Sequence, residues 1–437
     1  MRLKYGLDER PPAKEMVLFG LQWFAVTIPV IVTIGKITAG FHFAAPEAEV
    51  AYLQRLSFVM AVALFTQVVA GHRLPLIIGP STVLLIGIIS SREYGLGPVY
   101  TSIAIGGLLL ALLSITGLFA RLKSLFTTRV VAVVLLLIAF TLTPTVLNLI
   151  SSPRVGSGPS VNLLFSAGLI TAMFLFYRYS SGIWKSTFII WTMAGGSLFY
   201  FMLFPGTFTS TQVVRSAPLV SWALHDIPVG FTVDPGVLVS FIFCFLALAV
   251  NDMGSIQSLN ELLKASEQPR RLTRGVLVTG LANVFAGLLG VIGPVNFSLS
   301  PGVIASTGCG SRLTLLPAAL LLGLVAFSPA AIALLGNVPS VVIGCVLLFT
   351  LCSQVAAGLS ILFEAEEEFR FEGGLVLGLP ILLGTVVAFF SLDVIHTFPA
   401  VLRPIVGNGF VVGVAAALIL EHGVFRRSQV RDKDIQA

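Results

Sequence analysis

The side chains best placed to do chemistry fall in one run, Leu246 to Glu261, which begins wholly apolar and turns polar at Asn251, Asp252, Ser255, Gln257, Ser258 and Asn260. Asn251, Gly254, Ser255 and Ser258 stand at i, i+3, i+4 and i+7, which on a helix is a single face. Amide and hydroxyl groups sharing a face can read the edge of a polar, planar ligand, and Gly254 lets that ligand approach closely. Asp252 sits about 100° round the helix from Asn251, so it turns toward a neighbouring helix. It is the most central carboxylate in the chain and the candidate for carrying a coupling proton; the competing reading is an aspartate locked in a structural hydrogen bond. Glu261, close to Lys264, reads as an interfacial charge.

A second set of groups comes from two short segments with a shared pattern. Gly79-Pro80-Ser81-Thr82 and Gly293-Pro294-Val295-Asn296 each open a short apolar run, and the second continues as Phe297-Ser298-Leu299-Ser300-Pro301-Gly302. Gly and Pro interrupt a helix, and each interruption frees N–H donors at a new helix amino end, where a ligand can bind. The alternative is a pair of kinked helices without functional meaning. Gln22, Gln354 and Asn408 are lone amides in apolar runs, either hydrogen-bonding between helices or touching a ligand.

Enzyme chemistry finds no support. The chain lacks GxxxxGK[ST], HExxH and GxSxG patterns and any hydrophilic stretch that could house a nucleotide site. The four cysteines lie in apolar runs without metal-type spacing, and the acidic run from Glu364 to Glu372 lacks calcium-loop spacing. No metal, no cofactor and no catalytic residue are expected.

The elements that must position these groups are membrane helices. Of 437 residues 56% are hydrophobic and 11% charged, with a mean hydropathy of +0.98, against about 25% charged in an ordinary soluble chain. So few charges cannot coat a water-facing surface, which excludes a soluble enzyme, a disordered chain and a disulfide scaffold. The net charge of +6 is carried by basic residues scattered singly between apolar runs, which argues topology rather than nucleic acid. Fourteen apolar runs are long enough, or nearly so, for a span of about 20 residues. The expected architecture is an all-α polytopic membrane protein in the lipid bilayer of the cell (inner or plasma) membrane. Residues 1–205 hold spans one to seven, 206–236 form a proline-rich connection, and 237–437 hold spans eight to fourteen. An odd number of spans per half forces the second half in upside down, the inverted-repeat plan of secondary transporters. Spans three and ten are the shortest, and they are the two that open with Gly-Pro. Of 26 Lys and Arg, twenty fall on the side holding both termini and six on the other, so both termini are expected in the cytoplasm. Residues 1–15 are charged and proline-containing and no small-residue cleavage site follows the first apolar run, so the first span is expected to stay in the mature protein.

Several local patterns add a family resemblance. Tyr5-Gly-Leu-Asp8-Glu-Arg-Pro11-Pro12 leads into Leu18-Phe-Gly20-Leu21-Gln22-Trp23. Arg274-Gly275-Val precedes Gly280-Leu-Ala-Asn283 and Ala286-Gly287. Further on come Val338-Pro339-Ser340-Val-Val-Ile-Gly344 and Leu402-Arg403-Pro404-Ile405-Val-Gly-Asn408, while Gly302, Thr307 and Gly308 keep the spacing of a signature after the tenth span. In this order the chain resembles the nucleobase-ascorbate transporter family, which includes the uracil and xanthine permeases. The resemblance implies a core domain of spans one to four and eight to eleven, a gate domain of spans five to seven and twelve to fourteen, and a homodimer. It implies secondary active transport of a nucleobase or related small heterocycle, coupled to protons by an elevator-type movement. The substrate site it implies is Asn251, Ser255, Ser298, Leu299 and Ser300, with Thr82 and Gln22 opposite and Asp252 as the proton-coupling candidate. The chain departs from the family at Asn251, where a glutamate is usual, and at Leu299-Ser300, where an acid or amide followed by Asn is usual. Those departures keep two alternatives open: a small-anion transporter of similar fold, and an uncoupled facilitator or channel.

Overall fold

The computed structural model describes residues 3–117, 125–151, 158–205, 217–224, 227, 230–297, 300–365 and 371–425. The first half runs through α1 (Ala13–His42), α2 (Pro46–Val69), a strand β1 (Ile78–Pro80), α3 (Thr82–Ser90), α4 (Leu96–Thr116), α5 (Thr128–Thr141), α6 (Thr143–Ser151), α7 (Pro159–Tyr179), α8 (Gly182–Ser186) and α9 (Phe188–Leu203). The second half repeats the order of long helices, strand and short helix: α10 (Pro235–Leu263), α11 (Gln268–Leu288), β2 (Pro294–Asn296), α12 (Ser300–Thr307), α13 (Leu315–Ala326), α14 (Pro329–Leu335), α15 (Ser340–Ala365), α16 (Phe371–Ala388), α17 (Leu392–His396), α18 (Arg403–Val406) and α19 (Gly409–Ile419).

Among the described residues eight helices are long and apolar enough to cross a bilayer, or up to nine if one bent pair counts as a single span. Six of the fourteen expected spans do not stand as single long apolar helices: the seventh is α9, of sixteen residues, and the ninth is α11, whose first two turns carry Arg270, Arg271 and Arg274. Spans three and ten are strand-plus-helix elements whose helices have nine and eight residues. The eleventh bends by 103° between Ala326 and Pro329, and the last ends its eleven-residue helix in a π-helical turn. Local chemistry sets the starts. Asp234 caps α10 by accepting from the Val237 N–H at 2.9 Å, with Pro235 at the first helical position, and Ser328 with Pro329 does the same for α14.

Among the described residues two strands interrupt the otherwise helical pattern. They pair antiparallel, Ile78 with Asn296, Gly79 with Val295 and Pro80 with Pro294, and all six residues are buried. Gly-Pro backbone cannot close helical hydrogen bonds there, so each broken segment supplies the other's partners, as backbone at membrane depth requires.

Around this crossing α1 to α4 pack with α10, α11 and α13, and the α4–α11 contact is the most extensive. It is close because it is glycine-lined: a Cβ at Gly280 would meet the Ala111 nitrogen at 2.6 Å, and one at Gly287 the Ala104 nitrogen at 2.6 Å. A second group, α5 to α7 with α9, α15, α16 and α19, packs mainly within itself. The groups touch where α1 meets α9, α10 meets α18 and α19, and α12 meets α8. The amino-terminal Tyr5-Gly-Leu-Asp8 pattern is a clasp beyond α12: Lys4 N–H donates to Gly308 O at 2.7 Å, Gly310 N–H to Tyr5 O at 2.9 Å, and Asp8 pairs with Arg312 at 2.6 Å.

Candidate substrate and coupling site

The crossing is held by hydrogen bonds that each segment accepts from, or gives to, the other. Ile77 N–H donates to Ser300 Oγ at 3.0 Å, Phe297 N–H to Ile77 O at 3.0 Å, and Ser81 N–H to Gly293 O at 3.0 Å. The Ser81 hydroxyl caps α3 by accepting from Leu84 N–H at 3.4 Å. The amino ends of α3 and α12 therefore both start at the crossing, bringing two partial positive charges to one place.

Against the second strand lies a buried polar cluster. Asp252 Oδ1 accepts from the Asn296 backbone N–H at 3.0 Å and from Asn296 Nδ2 at 2.7 Å. Asn296 Oδ1 faces His72 Nε2 at 3.2 Å, and its Nδ2 reaches Thr279 Oγ1 at 3.4 Å. Gln67 completes the cluster, donating to Thr279 Oγ1 at 3.0 Å and to Gly275 O at 2.7 Å while accepting from His72 N–H at 3.2 Å. Asp252, Asn296 and His72 have no exposed surface. Hydrogen bonds to a charged group are worth about 1.5–3 kcal/mol each, and they offset part of the cost of burying a carboxylate. The offset is incomplete, because Asp252 Oδ2 has no hydrogen-bond partner among the described residues.

The sequence-derived candidates separate into two sets. Ser255, Ser300 and Gln22 are engaged by the protein. Ser255 Oγ donates to Asn296 O at 3.2 Å, Ser300 Oγ holds the first segment, and Gln22 Nε2 donates to Ser186 Oγ at 2.7 Å, tying α1 to α8. Asn251 and Thr82 have no side-chain hydrogen bond among the described residues. Asn251 is half-buried and Gly254 and Ser258 on its face are exposed, with open space where a Gly254 Cβ would stand. Thr82 is buried at the first position of α3. Because Gly87 packs on Phe241 and Cys244 while β2 lies against Asp252 and Ser255, Thr82 sits toward the level of Asn251. Ser298 and Leu299 lie outside the described residues. Asp252 faces α11 and β2 rather than the open face, as its angular position requires. Of the lone amides, Asn408 bridges helices, donating to Ser240 Oγ at 3.0 Å and capping α19.

His72, Asn296, Thr279, Gln67 and Asn283 were not singled out by type and spacing as site residues. Asn283 Nδ2 donates to Thr279 O and Pro294 O, both at 2.8 Å. One signal for them exists in the sequence. Thr279 and Asn283 are an i, i+4 pair on an otherwise small and apolar helix face with Gly275, Gly280 and Gly287, and polar groups at that depth require a partner.

Comparison with known proteins fits this geometry. Residues 14–393 match the profile of the xanthine/uracil type described as the Permease family. The uric acid permease PucJ of Bacillus subtilis (strain 168) is 24% identical, the match covering 84% of each chain. The xanthine permease of the same organism is 23% identical over 93% of this chain and 92% of its own. The transmembrane domain of the cyanobacterial bicarbonate transporter BicA superposes with a TM-score of 0.59 at 14% identity, covering 88% of this chain and 98% of its own, a likeness of fold. A multi-pass helical fold built round two crossed broken segments, and a profile match along most of the chain, lead to one assignment: the chain belongs to the xanthine/uracil Permease family, the nucleobase-ascorbate transporters its sequence resembles, whose members are permeases and not enzymes.

Proposed function

We propose that this chain is a secondary active transporter of a xanthine- or uracil-like nucleobase, moving its substrate together with a proton. The observation that carries the reading is the open face over the strand crossing. Asn251 presents an amide free of protein partners, Thr82 a free hydroxyl, and Gly254 leaves room for a ring. An amide offers both a donor and an acceptor, matching the alternating N–H and C=O edge of an oxidised purine or a pyrimidine. The uric acid and xanthine specificities in the names of PucJ and the Bacillus xanthine permease support this substrate class. Ser298, Leu299 and Ser300 would border the ligand through the start of α12, and Gln22 and Ser255 would hold the walls.

Transport would proceed by an elevator movement. The group of α1 to α4 and α10 to α14 acts as the core that carries the site, and the group of α5 to α9 and α15 to α19 acts as the gate against which it slides and through which two copies associate as a homodimer. Contacts such as Gln22 to Ser186 would break and reform in each cycle. Asp252, with its unpartnered oxygen, is the coupling group. Both termini face the cytoplasm of a cell (inner or plasma) membrane.

Uptake of radiolabelled xanthine into proteoliposomes, with a panel of competitors, tests the substrate class. Inhibition by uric acid or uracil is the expected outcome; inhibition by oxalate or sulfate alone would replace this reading with a small-anion transporter. The anion reading has its own support, since two helix amino ends meet at a face whose side chains, Asn251 and Ser255, carry no negative charge. Uptake that never exceeds equilibration under a proton gradient would leave an uncoupled facilitator.

A further inference from the structure

The two oxygens of Asp252 are not equivalent. Oδ1 accepts from both the backbone and the side-chain nitrogens of Asn296, at 3.0 and 2.7 Å, whereas Oδ2 is buried with no hydrogen bond among the described residues. A proton placed on Oδ1 would make that oxygen a donor facing two donors. Relief would require the Asn296 amide to turn over, presenting its oxygen to Asp252 and its NH2 to His72.

His72 blocks that turn. Its Nδ1 accepts the Leu74 backbone N–H at 3.0 Å, so the single proton of a neutral ring sits on Nε2, and Nε2 then donates to Asn296 Oδ1 at 3.2 Å. A turned amide would set NH2 against that N–H. The direction of every bond in the chain Leu74 to His72 to Asn296 to Asp252 is therefore fixed by a backbone amide that cannot reverse.

We infer that His72, acting through Asn296, directs the coupling proton to Oδ2 of Asp252. The inference rests on the reading of Asp252 as the coupling group and adds the positioning residues and the atom that binds. On protonation the Oδ2–H bond forms, the carboxylate becomes a neutral acid, and Oδ1 keeps both of its donors, so the strand crossing is not disturbed. Release reverses the step.

The surroundings suit this role. From α11 comes the uncharged Thr279 hydroxyl, which accepts from Gln67 Nε2 at 3.0 Å and Asn296 Nδ2 at 3.4 Å, and Arg271 at the start of that helix is turned away, its guanidinium donating to His72 O at 3.1 Å and Arg73 O at 2.9 Å. From α2 comes the neutral Gln67, from the loop before β1 the neutral His72, and from β2 Asn296. No Lys or Arg among the described residues forms an ion pair with Asp252, and α3, α4 and α12 present no charge to it. With no built-in countercharge, the incoming proton is what neutralises the site, and the unpartnered oxygen is where it lands.

Infrared difference spectroscopy of the full-length protein in lipid, recorded across a pH jump, reads the C=O stretch of a protonated carboxylic acid without needing substrate. Among the bands of the chain's 20 Asp and Glu, the wild type should give one that Asp252→Asn abolishes. His72→Ala and Asn296→Asp, made separately, should shift or split it, whereas His72→Gln, whose Nε2 can donate to Asn296 Oδ1 in place of the ring, should return it to the wild-type frequency. In proteoliposomes His72→Ala should lose pH-driven accumulation of labelled xanthine while still exchanging it, and His72→Gln should regain accumulation. A spectrum that Asp252→Asn leaves unchanged sinks the coupling reading itself. A band lost in Asp252→Asn but unmoved in either His72→Ala or Asn296→Asp overturns the role of His72 and leaves Asp252 in place; because the two variants act at different residues, misfolding of one leaves the other to decide.

Discussion

The two broken segments begin with the same Gly-Pro pair and meet in one antiparallel crossing, yet they are held in opposite ways. Beyond the crossing itself the first relies on its own cap and on apolar packing: Ser81 caps its own helix, and α3 is buried from Thr82 to Ile88, with Gly87 seated against Phe241 and Cys244. The second is held from outside by ionisable, hydroxyl and amide groups, Asp252, His72, Thr279 and Asn283, that converge on Pro294 and Asn296. Symmetric backbone thus carries asymmetric chemistry. A self-capped element can be a passive wall, while an element whose strand hangs on a carboxylate responds when that carboxylate changes charge.

The contrast can be broken most forcefully at Asn296. Asn296→Ala leaves Asp252 Oδ1 with one donor fewer and His72 Nε2–H without an acceptor, each worth about 1–3 kcal/mol when buried. A loss of roughly 2–5 kcal/mol is expected, read as a marked drop in the thermal unfolding midpoint in a fixed detergent, and a drop no larger than that of a cap mutant would erase the distinction between the segments.

Next in size is Asn251→Ala on the open face. Removing one ligand hydrogen bond of about 1–3 kcal/mol should weaken xanthine binding roughly 5-fold to over 100-fold, with the unfolding midpoint unchanged because the side chain has no protein partner. Calorimetric titration checks this, and unchanged affinity removes Asn251 from the site.

The smallest effect is expected in the first segment. Ser81→Ala deletes a helix cap worth about 1 kcal/mol and should lower stability by that amount without altering the ratio of accumulation to exchange. A change in that ratio would show that the first segment also takes part in coupling.

What could be read from the sequence divides along the same line. Gly79-Pro80 and Gly293-Pro294 announced breaks at matching places because Gly and Pro act locally. The i, i+3, i+4, i+7 spacing placed Asn251 and Gly254 on one face because helical period is local as well, and the same period turned Asp252 away from it. The partners of Asp252 were not legible, since Asn296 lies 44 residues on and His72 in the other half of the chain. Ser255 was placed by helical spacing and Ser300 and Gln22 by the resemblance, but the protein groups they bond, the Asn296 carbonyl, the Ile77 N–H and Ser186, lie far off in the chain and could not be read from residue type. The span count was blurred for a related reason: hydropathy reports apolar length, whereas α12, α14 and α19 are short helices in apolar stretches that bend or break.

The coupling role of Asp252 is tested most directly by loading proteoliposomes with the Asp252→Asn variant and imposing an inwardly directed proton gradient on labelled xanthine. An asparagine keeps the shape and the acceptor for Asn296 but cannot gain or lose a proton. The account predicts that this variant exchanges internal for external xanthine yet fails to accumulate it above the equilibrium level that the wild type exceeds. Full pH-driven accumulation by Asp252→Asn would contradict it.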